Sequence, residues 1–246
     1  MRNIKLIIQY DGSRYKGWQR LGDTDMTIQG KIESVISKMS NENIEIIGSG
    51  RTDVGVHGIG QVANYKMNSD MSIEDIKDYL YKYLPEDIVV RDVEEVDDRF
   101  HSRYNCTSKT YLYKIWNSKY HNPFLRKYTN HIEKNLDIDL MKKACVYLIG
   151  EHDFTSFASS KSKKKSNVRE IYSIDIQKQN ELIEIYVHGN GFLHNMVRII
   201  AGALIDVGLK RINPENIKEM LEAKDRTKAS DTAPAKGLYL YKVNHK

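Results

Sequence analysis

The alternation of apolar and polar positions divides the chain into two similar runs of elements. Residues 3–10 carry Ile4, Leu6, Ile7 and Ile8 and predict a strand. Ile28, Ile32, Val35, Ile36 and Met39 recur at helical spacing, which predicts an amphipathic helix over 28–39. Strands at 44–48 and 61–67, a helix at 73–84 and a strand at 88–96 complete a β-α-β-β-α-β order. A second run repeats it, with a strand at 107–116, a helix at 140–148 and strands at 171–176 and 182–187. Helices at 193–207 and 214–223 and a strand at 237–243 close the chain. Each run matches a ferredoxin-like split βαβ unit, an antiparallel sheet with helices on one side. The expected fold is α+β, with halves at 1–106 and 107–246 whose sheets join edge to edge into one antiparallel platform. Residues 117–135, polar and carrying Pro123, read as the connection that leaves it.

Composition narrows the chemistry. A chain of 246 residues with 40% hydrophobic content can bury one sizeable core or two smaller ones. It shows no signal-peptide core and no apolar run long enough to span a bilayer, so a cytoplasmic location and no membrane partner are expected. Cys106 and Cys145 lack the spacing of a zinc site or a disulfide framework and read as reduced packing residues. Gly48 to Asp53 supplies neither a P-loop nor a dinucleotide fingerprint, so no nucleotide cofactor is expected. The net charge of +5 is unevenly spread: residues 67–100 hold four basic and eleven acidic side chains, residues 101–170 fourteen basic and six acidic. Such asymmetry suits a molecule with one region that attracts a polyanion. The densest cluster, Lys161, Lys163, Lys164 and Lys165, reads equally as a solvated loop or as a set of phosphate contacts.

The segment Gly50-Arg51-Thr52-Asp53-Val54-Gly55-Val56-His57, followed by Gly60-Gln61-Val62, holds the candidate chemistry. Asp53 stands two positions from Arg51 among glycines. It reads either as an ordinary turn residue or as an ionised nucleophile or base facing a substrate. Further blocks bear on the choice: Tyr10-Asp11-Gly12, Gly17-Trp18-Gln19, Thr27 to Gly30, Leu84 to Ile88, Phe100 to Arg103, Lys109 to Ile115, Gly150 to Phe157, Asn190 to Arg198 and Ala233 to Leu240. In this order, over nearly the whole chain, they resemble the tRNA pseudouridine synthase A family.

The resemblance implies conversion of uridine to pseudouridine within tRNA, at positions 38, 39 and 40 of the anticodon stem-loop, by a homodimer that needs neither metal nor cofactor. It places the active-site cleft between the halves, where Asp53, Tyr111 and Arg198 are expected to converge as catalytic residues. Arg51, His57, Tyr111 and Leu238, together with the four loop lysines, are the expected substrate contacts. Val54 stands where the family commonly has alanine, which adds bulk beside Asp53. Two other readings stay open: a catalytically silent RNA-binding module, and a paralogue acting on another RNA. A metal-dependent hydrolase built on Asp53, His57 and His101 has no HxH or HExxH pattern behind it.

Overall fold

The structure is a computed structural model and describes residues 1–159 and 166–246. The order of elements is β1 (Arg2–Tyr10), α1 (Ile28–Ser40), β2 (Ile47–Gly48), β3 (His57–Met67), α2 (Ile73–Tyr83), β4 (Ile88–Val96) and β5 (Cys106–Asn117). Then follow β6 (Asn130–Ile132), α3 (Ile138–Cys145), β7 (Gly150–Asp153), β8 (Val168–Gln179), β9 (Leu182–Gly189), α4 (Met196–Gly208), α5 (Asn216–Ala223) and β10 (Leu238–His245). The chain divides into two compact units, Met1–Thr107 with Tyr239–Lys246, and Ser108–Leu238.

In the first unit β1 lies between β4 and β3, antiparallel to both, and β2 runs antiparallel to β3. This is the strand arrangement of a ferredoxin-like half. Alternation sets the core: Ile4, Leu6 and Ile8 are fully buried on one face of β1. Against that core lie Ile28, Ile32 and Ile36 of α1 with Ile76 and Leu80 of α2. Each such side chain contributes about 1.5–3 kcal/mol on leaving water. Helix α1 starts where it does because Thr27 Oγ1 accepts from Gly30 N at 3.2 Å. It ends at Asn41, which takes the left-handed conformation at φ 55°.

The strand expected at 44–48 is shortened to Ile47–Gly48, and the cause is a buried carboxylate. Ile44 and Ile46 are buried, but their N–H groups bond to helix side chains and not to a strand. Ile44 N donates to Ser37 Oγ at 3.0 Å and Ile46 N to Glu33 Oε1 at 2.9 Å. The same Glu33 oxygen accepts from Gln29 Nε2 at 2.8 Å. Oε2, which makes no hydrogen bond, has the Arg20 guanidinium 3.2 Å away.

The second unit carries its antiparallel strands in the order β5-β9-β8-β7. Two of its strands lie outside the predicted elements. β6 sits within the expected 117–135 connection and pairs in parallel with the end of β5, and β7 pairs with β8. Both are four residues or shorter, too brief for a period of two to register. The helix expected at 140–148 is α3 followed by a 3-10 turn at Val146–Leu148. The apolar faces of β9 (Ile183, Ile185 and Val187) and of α4 supply much of the buried core.

The last strand was expected to complete the second half. Residues Tyr239–Lys246 group instead with the first unit, where Tyr239 and Leu240 run parallel to His57 and Gly58 of β3. His245 Nε2 bonds Ser102 O at 2.8 Å and Lys246 N donates to Asn105 O at 3.2 Å, which fixes the terminus there.

Replacing Glu33 by alanine removes the acceptor of the buried Ile46 N–H and one of the two that Gln29 Nε2 bonds, and is expected to cost about 1–3 kcal/mol of stability. Urea unfolding would show this as a lowered midpoint. Glu33→Gln, which keeps an acceptor, should lose less.

Candidate active site

The Asp53 loop leaves β2 and enters β3, and its ends are drawn together by one side chain. Gln61 Nε2 donates to Gly50 O at 2.9 Å and its Oε1 accepts from Ser49 Oγ at 2.7 Å. Ser49 N bonds Val62 O at 2.8 Å. At the tip Val56 N closes a turn onto Asp53 O at 3.1 Å, with Gly55 at φ 75° supplying the left-handed residue that turn needs.

Behind the loop stands the segment from Tyr10 to Gly30. Trp18 N donates to Thr52 O at 3.0 Å, and the Tyr10 hydroxyl lies 2.9 Å from Thr52 Oγ1. Gly17, at φ 96°, comes so close that a Cβ there would lie 2.6 Å from Thr52 O and 3.2 Å from the Asp53 carbonyl carbon. Only glycine fits that approach. Gly17 and Trp18 are held in turn by α1, since Ile28 N and Gln29 N donate to their carbonyls at 3.2 and 2.9 Å. Tyr15 is buried and donates to Asp87 Oδ1 at 2.6 Å; burial first, and then this bond to a carboxylate, pushes its pKa up to about 12. Asp11 N donates to Asp87 O at 2.9 Å, so the 84–88 block closes the same support.

Asp53 itself is half-buried, flanked by buried Thr52 and exposed Val54 and Arg51. His57, expected to meet substrate, is enclosed instead. Its Nδ1 accepts from Gly12 N at 3.1 Å, with Asp11 Oδ1 3.2 Å away, and its ring stacks on Tyr239 at 4.7 Å. It props the loop from below. His101 Nδ1 accepts from Arg103 N and Tyr104 N, each at 3.2 Å, so both imidazoles are committed to main-chain turns. Among the described residues no cluster of three or more His, Cys, Asp or Glu has metal-ligating geometry.

In the second unit Tyr111 and Tyr113 share a face of β5, opposite Val187 and Ile185 of β9. They differ in depth. Tyr113 is fully buried, its hydroxyl donates to Pro234 O at 2.9 Å, and burial raises its pKa. Tyr111 is half-buried and meets Phe192 edge-on at 5.1 Å. Arg198 is half-buried on a helix that is otherwise mostly apolar. Its Nε donates to Ala233 O at 2.7 Å and its Nη1 to Asn195 Oδ1 at 2.9 Å. Asn195 is left-handed at φ 63°, so the helix expected from 193 begins at Met196. Leu238 is buried. Lys161, Lys163, Lys164 and Lys165 lie outside the described residues.

The support behind Asp53 was the part that the sequence reading missed. Its signal was present, because Tyr10, Gly17, Trp18, Thr27 and Asp87 all fall in the blocks quoted above.

Two outcomes test this support. Gly17→Ala should cost about 1–3 kcal/mol through backbone strain. It should also speed hydrogen exchange at the Trp18 amide. Because the folded pKa of Tyr15 exceeds its ordinary value of 10.0, stability should hold below pH 10 and fall as pH climbs from 10 towards 12. Tyr15→Phe should flatten that decline in pH-dependent unfolding.

Comparison with known proteins shows the family. The family profile described as tRNA pseudouridine synthase matches residues 6–105 and 144–246. A relative from Bacillus sp. (strain KSM-64), named tRNA pseudouridine synthase A, is 59% identical over 240 residues, covering 98% of each chain. One from Bacillus cereus (strain ZK / E33L), named tRNA pseudouridine synthase A 2, is 56% identical over 243 residues and 99% of each chain. Another from Clostridium tetani (strain Massachusetts / E88), named tRNA pseudouridine synthase A 1, is 51% identical over 245 residues and the whole of both chains. With identity this high along its full length, and with the Asp53 loop inside the matched region, the chain belongs to the tRNA pseudouridine synthase family.

Proposed function

We propose that this protein isomerises uridine to pseudouridine in tRNA, with Asp53 as the nucleophile or base. Family membership over the whole chain supports the reaction. The observation that carries the assignment to Asp53 is its position: a half-buried carboxylate at the tip of a loop tied on one side by Gln61 and on the other by Tyr10, Gly17 and Trp18.

The reaction breaks the bond from C1′ to N1, turns the uracil, joins C5 to C1′ and moves a proton from C5 while N1 gains one. No atom is gained or lost and no electron changes hands. Asp53 attacks C1′ or C6, or takes a ribose proton to give a glycal. All three routes need the target base outside its stack. Tyr111 stacks on that base, worth about 1–3 kcal/mol, and its hydroxyl is the candidate carrier of the C5 proton. Arg198 acts on the same nucleotide. Two of its N–H groups are spent on Ala233 and Asn195, and the remaining guanidinium donors serve a phosphate of the bound RNA.

Leu238 walls the pocket against water, which would otherwise hydrolyse the cleaved sugar. Arg51 and the lysines at 161, 163, 164 and 165 contact phosphates. The preferred targets are uridines 38, 39 and 40 of the anticodon stem-loop, and the working form is a homodimer in the cytoplasm. His57 is given a structural part, because it is enclosed beneath the loop.

Asp53→Ala should abolish tritium release from C5-labelled uridine in a tRNA transcript. The dissociation constant for tRNA should stay within about threefold of wild type, since affinity rests on distributed Lys and Arg contacts. Normal turnover by the purified variant would remove Asp53 from the mechanism.

A further inference from the structure

From His101 to Ile132 the chain contains six lysines and arginines and no aspartate or glutamate. Within this stretch the loop from Ser118 to Thr129 leaves the end of β5 and returns to it as β6, where His131 pairs with Trp116. The loop is tied down at several points. His131 Nε2 bonds Ser118 O at 2.8 Å, and Trp116 Nε1 donates to Tyr120 O at 3.0 Å. Asn122 Oδ1 accepts from Phe124 N at 3.0 Å and Leu125 N at 3.2 Å. Lys236 Nζ reaches across to Arg126 O at 3.1 Å.

What this ordered loop displays is apolar and cationic. Phe124 is 86% exposed and Tyr120 71%. The Lys119 ammonium lies 5.4 Å from the Tyr120 ring centroid, and Arg126 bonds Pro123 O at 2.7 Å through Nη1, which leaves the rest of its guanidinium outward. Among the described residues neither cation is paired with a carboxylate. A single exposed aromatic is ordinary. Two of them, held on a hydrogen-bonded loop between unpaired cations, form the arrangement that stacks nucleobases while neutralising their phosphates.

We infer that the Ser118–Thr129 loop is an RNA-binding surface, separate in sequence from Asp53, Tyr111 and Arg198, that grips the tRNA through stacking on Tyr120 and Phe124 and phosphate contacts from Lys119 and Arg126. The inference rests on the tRNA reading above and adds a site to it. The complementary charge of a polyanion selects RNA over a second copy of this chain.

The test compares three proteins: wild type, Tyr120→Ala/Phe124→Ala, and Lys119→Gln/Arg126→Gln. Each is measured for tRNA binding across a salt series and for pseudouridine formation on the same transcript, with thermal unfolding to verify folding. The aromatic variant should bind about tenfold or more weakly with an unchanged salt slope. The charge variant should bind more weakly with a slope reduced by about 2. Both should raise KM and leave kcat unchanged, because the altered groups do not touch the reacting atoms. Folded variants with wild-type affinity, slope and KM would overturn the inference. So would a shift in monomer–dimer balance in sedimentation with tRNA binding intact, which would make the loop a protein contact. If wild type binds tRNA yet forms no pseudouridine, the proposed function fails while the salt and affinity series still decides on the loop.

Discussion

The contact between Gly17 and the Thr52–Asp53 backbone is the constraint on which the geometry of the first unit's candidate site depends. A loop that joins a two-residue strand to a long one has little stability of its own. Here its Thr52 carbonyl is taken by Trp18, its Thr52 hydroxyl meets Tyr10, and its floor is filled by the Gly17 main chain. A displacement of about 1 Å in a reacting group can cost on the order of a hundredfold in rate. Residues with no chemical role thus have a physical one: they remove the freedom of Asp53 before any substrate arrives.

The second unit shows the same division between half-buried candidate groups and the enclosed groups beside them. Tyr113 and Tyr111 lie two positions apart on one face of β5, but only Tyr113 is sealed in, with its hydroxyl committed to Pro234. That bond ties β5 to the segment that also accepts from Arg198 through Ala233. The buried Tyr113 and the arginine therefore share one anchor, and movement at 233–234 would be felt by both.

Most of the fold was legible because its elements are long and strongly periodic. The apolar stripe of α1 and the alternation of β1 read directly from the sequence, and β4 spans the residues expected of it. What could not be read were features set by tertiary partners. The segment 44–46 has strand-like residues, yet Ser37 and Glu33 claim its N–H groups. β6 and β7 are too short to show a period. The start of α4 depended on Asn195 adopting a left-handed backbone. Of the site, the residue types were visible in quoted blocks, but their depth was not. His57 and Tyr113 carry the same chemical groups as surface residues and are enclosed only because β10, the Pro234 segment and their sheets cover them.

The placement of β10 has a consequence for how the molecule is made. Strand β3, which carries the Asp53 loop, receives its parallel neighbour from residues 239 and 240 of a 246-residue chain. On the ribosome the N-terminal unit must therefore wait, its edge at His57 bare, until residues 239 and 240 have emerged. The intervening unit, whose residues are continuous, can fold first. A chain cut before Tyr239 would keep the residues of the second unit and leave the strand after the Asp53 loop without its parallel neighbour.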